Sequence, residues 1–381
     1  VSRIKRVGIA DLPLHRGGVP RWLIDRMIKL GSEIVHIIVE EYGQKELLAR
    51  LANPFWFQAL GCVLGFDWHS SGLTTVVTAI LKTVINREEL GIIVVGGKGK
   101  KALNTPEEIS TYGECIGLSS SKIELLKRIS RLTAKVDNCA IQDGYHIYHH
   151  SMLITEEGYW TIVQQGMNLE KRYARRYHWF SEAIEDLVEE PHTGIISERV
   201  EPLVLDMTSK LSRNARKTSV DLVNDGVRRI KRLLRKLRSI AHQEGIVKWL
   251  GLNESYTSSY FKIPYLSMPR SINWKAVEQA YELSPKNYEE LLLVRGMGPS
   301  TIRALALISK LIYGDEISWK DPAKYSFAFG GKDGVPYPVD TRCMDDAIRF
   351  LRDVVIALRT DEKNKRQALN RLRILQLKLR N

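Results

Sequence analysis

Between positions 134 and 168 the sequence AKVDNCAIQDGYHIYHHSMLITEEGYWTIVQQGMN gathers Asp137, Gln142, Asp143, His146, His149, His150, Gln164 and Gln165 among Tyr145, Tyr148 and Trp160. These residue types suit hydrolysis of phosphodiester bonds. Carboxylates such as Asp137 and Asp143 hold a divalent ion, Mg2+ or Mn2+, and a histidine such as His146 or His149 takes the proton of an attacking water. Lys98, in the run Gly96-Gly97-Lys98-Gly99-Lys100-Lys101, supplies positive charge for the developing oxyanion. That run has the wrong spacing for a Walker loop and no Lys-Ser/Thr pair, so no nucleotide cofactor is expected. It reads either as a phosphate cradle or as a solvated basic turn.

Strand geometry limits which of these groups can cooperate. In a regular strand His146 and His150 share one face but stand about 13 Å apart, too far to chelate a single ion, while Asp143 and His149 point the other way. A site here must draw partners from elsewhere: Asp67 and His69 in FDWHSSG, Asp137, or Gln164 and Gln165 across the hairpin. Downstream, KRYARRYHWF alternates basic and aromatic side chains, including Arg175 and Arg176. Such a stretch holds phosphates and stacks bases, and an amphipathic helix face accounts for it equally well.

The elements that must position these groups follow from periodicity. Runs 141–154 and 159–167 read as two strands joined at Thr155-Glu156-Glu157-Gly158, good hairpin chemistry. Run 90–95 is a third strand, apolar and β-branched. Helices are predicted over 22–31, 33–42, from Asn53-Pro54 onward, over 74–85, around 107–108 and over 118–132 with Ser119 or Ser120 as cap. Residues 213–238 include RRIKRLLRKLR, an amphipathic basic helix suited to a DNA backbone or to a solvated face. Residues 1–20 read as an extended arm, 253–271 as a linker crossing, 274–283 and 288–294 as helices, and 359–381 as a basic helix or tail.

The chain has 381 residues, 44% hydrophobic, with 57 Lys and Arg against 44 Asp and Glu, a net charge of +13 and a pI of about 9.4. That length suits two or three domains, and the surplus of positive charge favours a polyanionic partner. Cys62, Cys115, Cys139 and Cys343 are scattered, which argues against disulfides and against a cysteine zinc site. The apolar runs are too short for a membrane span, and the basic start leads into Gly8, Asp11 and Pro13 instead of a signal peptide, so a soluble cytoplasmic protein is expected.

A second polar constellation is LLLVRGMGPSTIRALALISKLIYG, at 291–314. Two short helices flank Gly296-Met297-Gly298, and Pro299 takes the first position of the second helix, where its missing N–H costs nothing. The stretch resembles the helix-hairpin-helix motif of DNA repair and replication proteins. The resemblance implies that Gly296 and Gly298 let the backbone approach a phosphate, with Ser300, Thr301 and Arg303 at the binding end of the second helix. Such contact reads the sugar–phosphate chain without sequence. A plain helical hairpin with a glycine turn is the structural alternative.

More widely, ADLPLHRGG, NPFWFQALGCVLGFDWHSSG, GGKGK, AKVDNCAIQDGY, QQGMN, RRYHW, and GMGPSTIRALALISKLIYG with KYSFAFGGKDGVPYPVD are similar to the archaeal and bacterial "domain of unknown function 763" family, across residues 6–345. The resemblance implies a shared fold and brings no activity with it. Locally, Val339-Asp340-Thr341 resembles the segment after the hairpin in base-excision glycosylases, whose aspartate assists departure of the damaged base. Here the intervening segment is longer, and Ser300 stands where bifunctional members carry a lysine. Asp340 is otherwise a helix cap, and Tyr325 or Phe327 would face a flipped base.

The expectation is an α+β protein. A mixed α/β N-terminal domain with a β-hairpin (1–205) is followed by a basic helical connector (206–265), an all-α helix-hairpin-helix domain (266–358) and a basic tail (359–381). Its partner is DNA, bound by the phosphate backbone, with RNA as another polyanion and no membrane. Three functions stay open: a metal-dependent nuclease of DNA repair or processing, a DNA glycosylase using Asp340, and a non-catalytic DNA or RNA binder.

Overall fold

The computed structural model describes residues 21–66, 72–171, 173–197, 200–244, 269, 271–323, 341–358 and 362–380. The first helix, α1 (Arg21–Tyr42), runs unbroken through Gly31, which packs against Ile80 of a later helix; two separate helices were expected here. Its buried residues Met27, Leu30, Ile34, Val35 and Ile38 recur at helical spacing. After α2 (Gln44–Ala52), Asn53 starts α3 (Pro54–Leu64) as the sequence indicated: its side chain accepts from the Phe55 and Trp56 amides at 2.9 and 3.2 Å. Every residue of α3 is buried, so it is a central core helix. α4 (Gly72–Ile85) follows.

Strand β1 (Ile92–Lys98) extends beyond its apolar run into the glycine–lysine stretch. Three helices come next: α5 (Lys100–Leu103), α6 (Thr105–Cys115) and α7 (Ser120–Lys135), the last capped by Ser119. A π-helical turn, Val136–Ala140, leads into β2 (Ile141–Gln142), which leaves the expected long strand and pairs with β7 (Leu205–Asp206). The hairpin proper is β3 (His146–Thr155) and β4 (Trp160–Asn168), continued by β5 (Tyr173–Phe180) and β6 (Gly194–Ser197). The YARRYHWF part of the KRYARRYHWF stretch is therefore a strand and not a helix. Its alternation is the two-residue period of a pleated sheet, with opposite faces buried in different surroundings.

The antiparallel order is β1-β3-β4-β5-β6. Ile92, Val94, Leu153, Val163 and Ile196 enter one core with α1 to α4. Ile93, Val95, Met152, Ile154, Trp160, Ile162 and Trp179 enter a second core. Around that second core lie α7, α8 (Arg213–Asn224), α9 (Val227–Glu244), α10 (Trp274–Leu283), α11 (Tyr288–Leu293) and α12 (Pro299–Ile308). The last two helices, α13 (Thr341–Ala357) and α14 (Glu362–Arg380), pack back onto α3 in the first core. The expected sheet and hairpin regions thus share one apolar core.

One irregularity changes which side chains meet. Ile147 pairs with Gly166, but His149 pairs with Gln165, leaving Tyr148 as a bulge. The extra residue reverses the alternation, so His146 and His150 lie on opposite faces, contrary to the regular-strand expectation. His146 is exposed at the strand's start.

Among the described residues no single helix is long and apolar enough to cross a membrane. The bent pair α2 and α3, which passes on composition, is packed in the first core. The expected arm at 1–20, most of the 253–271 crossing, Asp67, His69, Tyr325, Phe327 and Asp340 lie outside the described residues.

Gly96 fixes the exit of β1. It has φ +84°, and a Cβ there would stand 2.2 Å from the His150 carbonyl oxygen. Gly96→Ala is expected to destabilise the protein by about 2 kcal/mol or more, read by urea unfolding; a change below about 0.5 kcal/mol would show the strand end to be freely adjustable.

Candidate functional site

Because helices cover both faces of the sheet, each polar residue on it must find a partner in a dry environment. The register places four such residues in one row. Lys98 on β1 pairs with His149 on β3, His149 with Gln165 on β4, and Gln165 with Arg176 on β5. All four point toward α3 and α4. Lys98 is exposed and the other three are buried, so the row runs from solvent into the protein.

At the inner end, Arg176 is 7% exposed. Its Nε donates to His178 Nε2 at 2.8 Å, one Nη donates to Gln58 Oε1 at 3.0 Å and to the Pro54 carbonyl at 3.4 Å, and the other Nη reaches Thr74 Oγ1 at 3.4 Å. The Phe57 ring lies 4.7 Å from the guanidinium carbon. Among the described residues no carboxylate pairs with this cation. Burial pulls its pKa down to about 9, which still leaves it charged at neutral pH. His178 is neutral, since its Nδ1 sits 3.1 Å from the Leu51 carbonyl as a donor and its Nε2 accepts from Arg176. Burial and the neighbouring Arg176 hold its pKa well below the usual range.

His149 also has a fixed tautomer. Thr78 Oγ1 gives its one proton to the Thr74 carbonyl at 2.8 Å, so at 3.0 Å from His149 Nε2 it accepts. Nδ1 is then a bare lone pair, buried and without a hydrogen-bond partner. Burial, with smaller contributions from His150 and Lys98, lowers this pKa to about 3. Gln165 donates to Tyr148 Oη at 2.9 Å, and Lys98 Nζ lies 5.8 Å from the Tyr148 ring centre.

The opposite face carries a second polar layer. Asp137, on the π-helical turn, accepts from Gln164 at 2.6 Å, Trp179 at 3.0 Å and His192 at 2.5 Å. His150 Nε2 meets Ser130 Oγ at 3.0 Å, and burial lowers its pKa. Asp143 accepts from Arg175 at 2.8 Å, from Tyr177 Oη at 2.7 Å and from the Tyr145 amide at 2.9 Å. Arg175 also grips Asp321 through both Nη atoms at 2.9 and 2.7 Å. Burial opposes the Arg175 cation, but Asp143 and Asp321 hold its pKa well above the usual range; burial raises that of Asp143 despite Arg175.

The residues expected to act together are therefore divided. His149 faces one layer; Asp137, His150 and Asp143 face the other, and both carboxylates are fully engaged by side-chain donors. Gln142 links the two halves of the second core. Its amide donates to the Pro299 carbonyl at 2.8 Å, and its oxygen accepts from Arg303 Nε at 2.7 Å. Among the described residues no group of three His, Cys, Asp or Glu side chains could hold a metal ion. Gln58, Thr74, Thr78, His178 and His192 were not anticipated. The single amide in the apolar helix PFWFQALGCVL, and His178 two residues after Arg176, were the available signals.

The glycine turn between α11 and α12 is anchored from below. Gly296, at φ +81°, accepts at its carbonyl from Asn273 Nδ2 at 3.2 Å, and the Met297 carbonyl accepts from Lys135 Nζ at 2.5 Å. Thr301 is buried, Ser300 and Arg303 are half-buried, and Arg295 and Gly296 face solvent. On α9, Ile230, Leu234 and Leu237 are buried, while Arg228, Lys231, Arg232, Arg235 and Lys236 are exposed. Lys100 and Lys101 are likewise exposed beside Lys98.

A family model described as "Protein of unknown function (DUF763)" matches residues 8–339, and the chain belongs to that family. No curated protein and no solved structure matches the chain.

His149 gives the site a pH signature. Its folded pKa is about 3 against an ordinary 6.5, so between these values the unfolded chain binds the extra proton and stability is lost as pH falls. His149→Gln does not titrate. The stability of the wild type relative to this variant, from urea unfolding, is expected to drop by about 1.4 kcal/mol per pH unit below about pH 6. A constant difference would mean that His149 is solvated.

Proposed function

We propose that this family member binds DNA by its sugar–phosphate backbone and hydrolyses phosphodiester bonds at the layer formed by Lys98, His149, Gln165 and Arg176. The observation that carries this reading is Arg176, a buried cation with no carboxylate partner among the described residues, in register with a histidine whose Nδ1 is bare. A buried charge is costly unless an opposite charge joins it, and a phosphate supplies that charge. Arg176 then neutralises the phosphate. Nδ1 of His149, unprotonated at neutral pH, orients the attacking water by accepting its hydrogen. Lys98, at the exposed end of the row, attracts the polyanion toward the site.

The net charge of +13, the exposed cations of α9 and the turn at Gly296-Met297-Gly298 support DNA as the polymer. Mg2+ or Mn2+ remains part of the nuclease reading. The side chains described in this layer include no carboxylate, the ligand type magnesium prefers, so no step is assigned to a metal here.

Purified protein incubated with labelled single-stranded and duplex DNA should cut strands in Mg2+ or Mn2+ and not in EDTA. Arg176→Lys and His149→Gln should each slow cutting about 100-fold or more. Undiminished cutting in both variants would remove the site from this layer. Breaks revealed only by alkali would point to base excision and to Asp340.

Gly298 tests the turn separately. A Cβ built on it meets nothing closer than the Gly296 carbonyl oxygen at 3.9 Å, so Gly298→Val should fold normally. Its DNA affinity should fall about tenfold, the equivalent of one lost backbone contact. An unchanged Kd would show that the turn does not touch DNA.

A further inference from the structure

Resting on that reading, we propose that the Arg176 layer takes the terminal phosphate of a DNA strand and not a phosphate inside an intact duplex. Depth is the first observation. The sheet order β1-β3-β4-β5 puts three strand spacings, about 14 Å, between the backbone of Lys98 and that of Arg176. Over this distance the row changes from an exposed lysine to fully enclosed side chains. A duplex phosphate lies on a thick cylinder and cannot be carried that far beneath α3 and α4. A phosphate at a strand end has nucleotide on only one side, so the chain can trail out past Lys98.

Enclosure is the second observation. Gln58 and the Pro54 carbonyl of α3, Thr74 of α4, the Phe57 ring and His178 surround the guanidinium, and their polar atoms are neutral. Among the described residues, the one formal charge at this end of the layer is therefore positive. A terminal phosphomonoester carries between 1.5 and 2 negative charges near neutral pH, by the order of magnitude known for phosphorylated side chains, against one for an internal diester. In a dry site this difference favours the terminal group strongly. The third observation is the charge at the outer end of the row. Lys98, Lys100 and Lys101 are exposed together where β1 meets α5, so the solvent-facing end of the row is basic.

The test is equilibrium binding to the full chain in EDTA, which separates recognition from cutting. The probes are a thymidine dinucleotide with a 5′-phosphate, one with a 3′-phosphate, and one with hydroxyls at both ends. A duplex closed by loops at both ends, the matching open duplex and inorganic phosphate complete the set. A terminal phosphate at one end should tighten dinucleotide binding about tenfold or more, and the open phosphorylated duplex should outcompete the closed one. In Arg176→Lys, with an unchanged melting temperature, the gain should disappear. Equal affinity for phosphorylated and unphosphorylated dinucleotides in the wild type overturns the proposal, whether or not the variant folds. So does a phosphate gain that survives in Arg176→Lys. Inorganic phosphate binding as tightly as the phosphorylated dinucleotides would also overturn it, by showing a site for the free ion. A protein that shows the phosphate gain but never cuts DNA would keep this inference and lose the hydrolase reading.

Discussion

The whole structure depends on the absence of a wet face on its five-stranded sheet. Antiparallel sheets commonly leave one side to solvent; here α1 to α4 with α13 and α14 cover one side, and α7 to α12 cover the other. Apart from Lys98 and His146 at strand ends, most polar side chains that the strands carry are then withdrawn from water and must be matched by protein. Most are matched closely: Asp137 accepts three side-chain donors, and Asp143 two with a backbone amide. The few incompletely matched atoms stand out because the rest of the sheet is so fully paired.

Arg175 and Arg176 show the contrast within two adjacent residues. Arg175 faces Asp143 and Asp321, two buried carboxylates that balance its charge. Arg176, one residue on, faces the opposite side and, among the described residues, meets only neutral acceptors. Strand alternation separates them, so the same residue type serves as a structural ion pair on one side and as an open cation on the other. The difference lies in what α3 and α4 present, and no feature of the strand sequence alone distinguishes the two arginines.

Much of the local structure was legible. Asn53-Pro54 starts a helix, Ser119 caps another, and the Thr155–Gly158 turn joins two strands, because each depends on chemistry within a few residues. The chain's membership of its family was legible too, from motifs spread along its length. The alternating stretch at 173–180 was harder, since basic residues with aromatics between them suit a helix or a strand until tertiary burial decides. The placing of His146 and His150 failed for a specific reason: the extra residue at Tyr148 reverses the alternation, and a bulge has no dependable sequence mark. Partners such as Gln58, Thr78 and His192 come from distant segments, so only the folded chain reveals them.

The packing of α14 onto α3 bears on when the polar layer can exist. Arg371 donates to the Val63 carbonyl at 2.8 Å across 308 positions of sequence, and Leu372 and Leu375 share a core with α3. The helix that supplies Gln58 is thus secured by residues synthesised long after it. Contacts this distant in sequence form late, because closing so long a loop has to precede any return from the contact. During synthesis on the ribosome the sheet can pair early, yet the cover over Arg176 is completed only when the segment around Arg371 has emerged. The polar layer around Arg176 is therefore a product of a chain that extends past Arg371, and a shorter nascent fragment, however well its strands have paired, does not possess it.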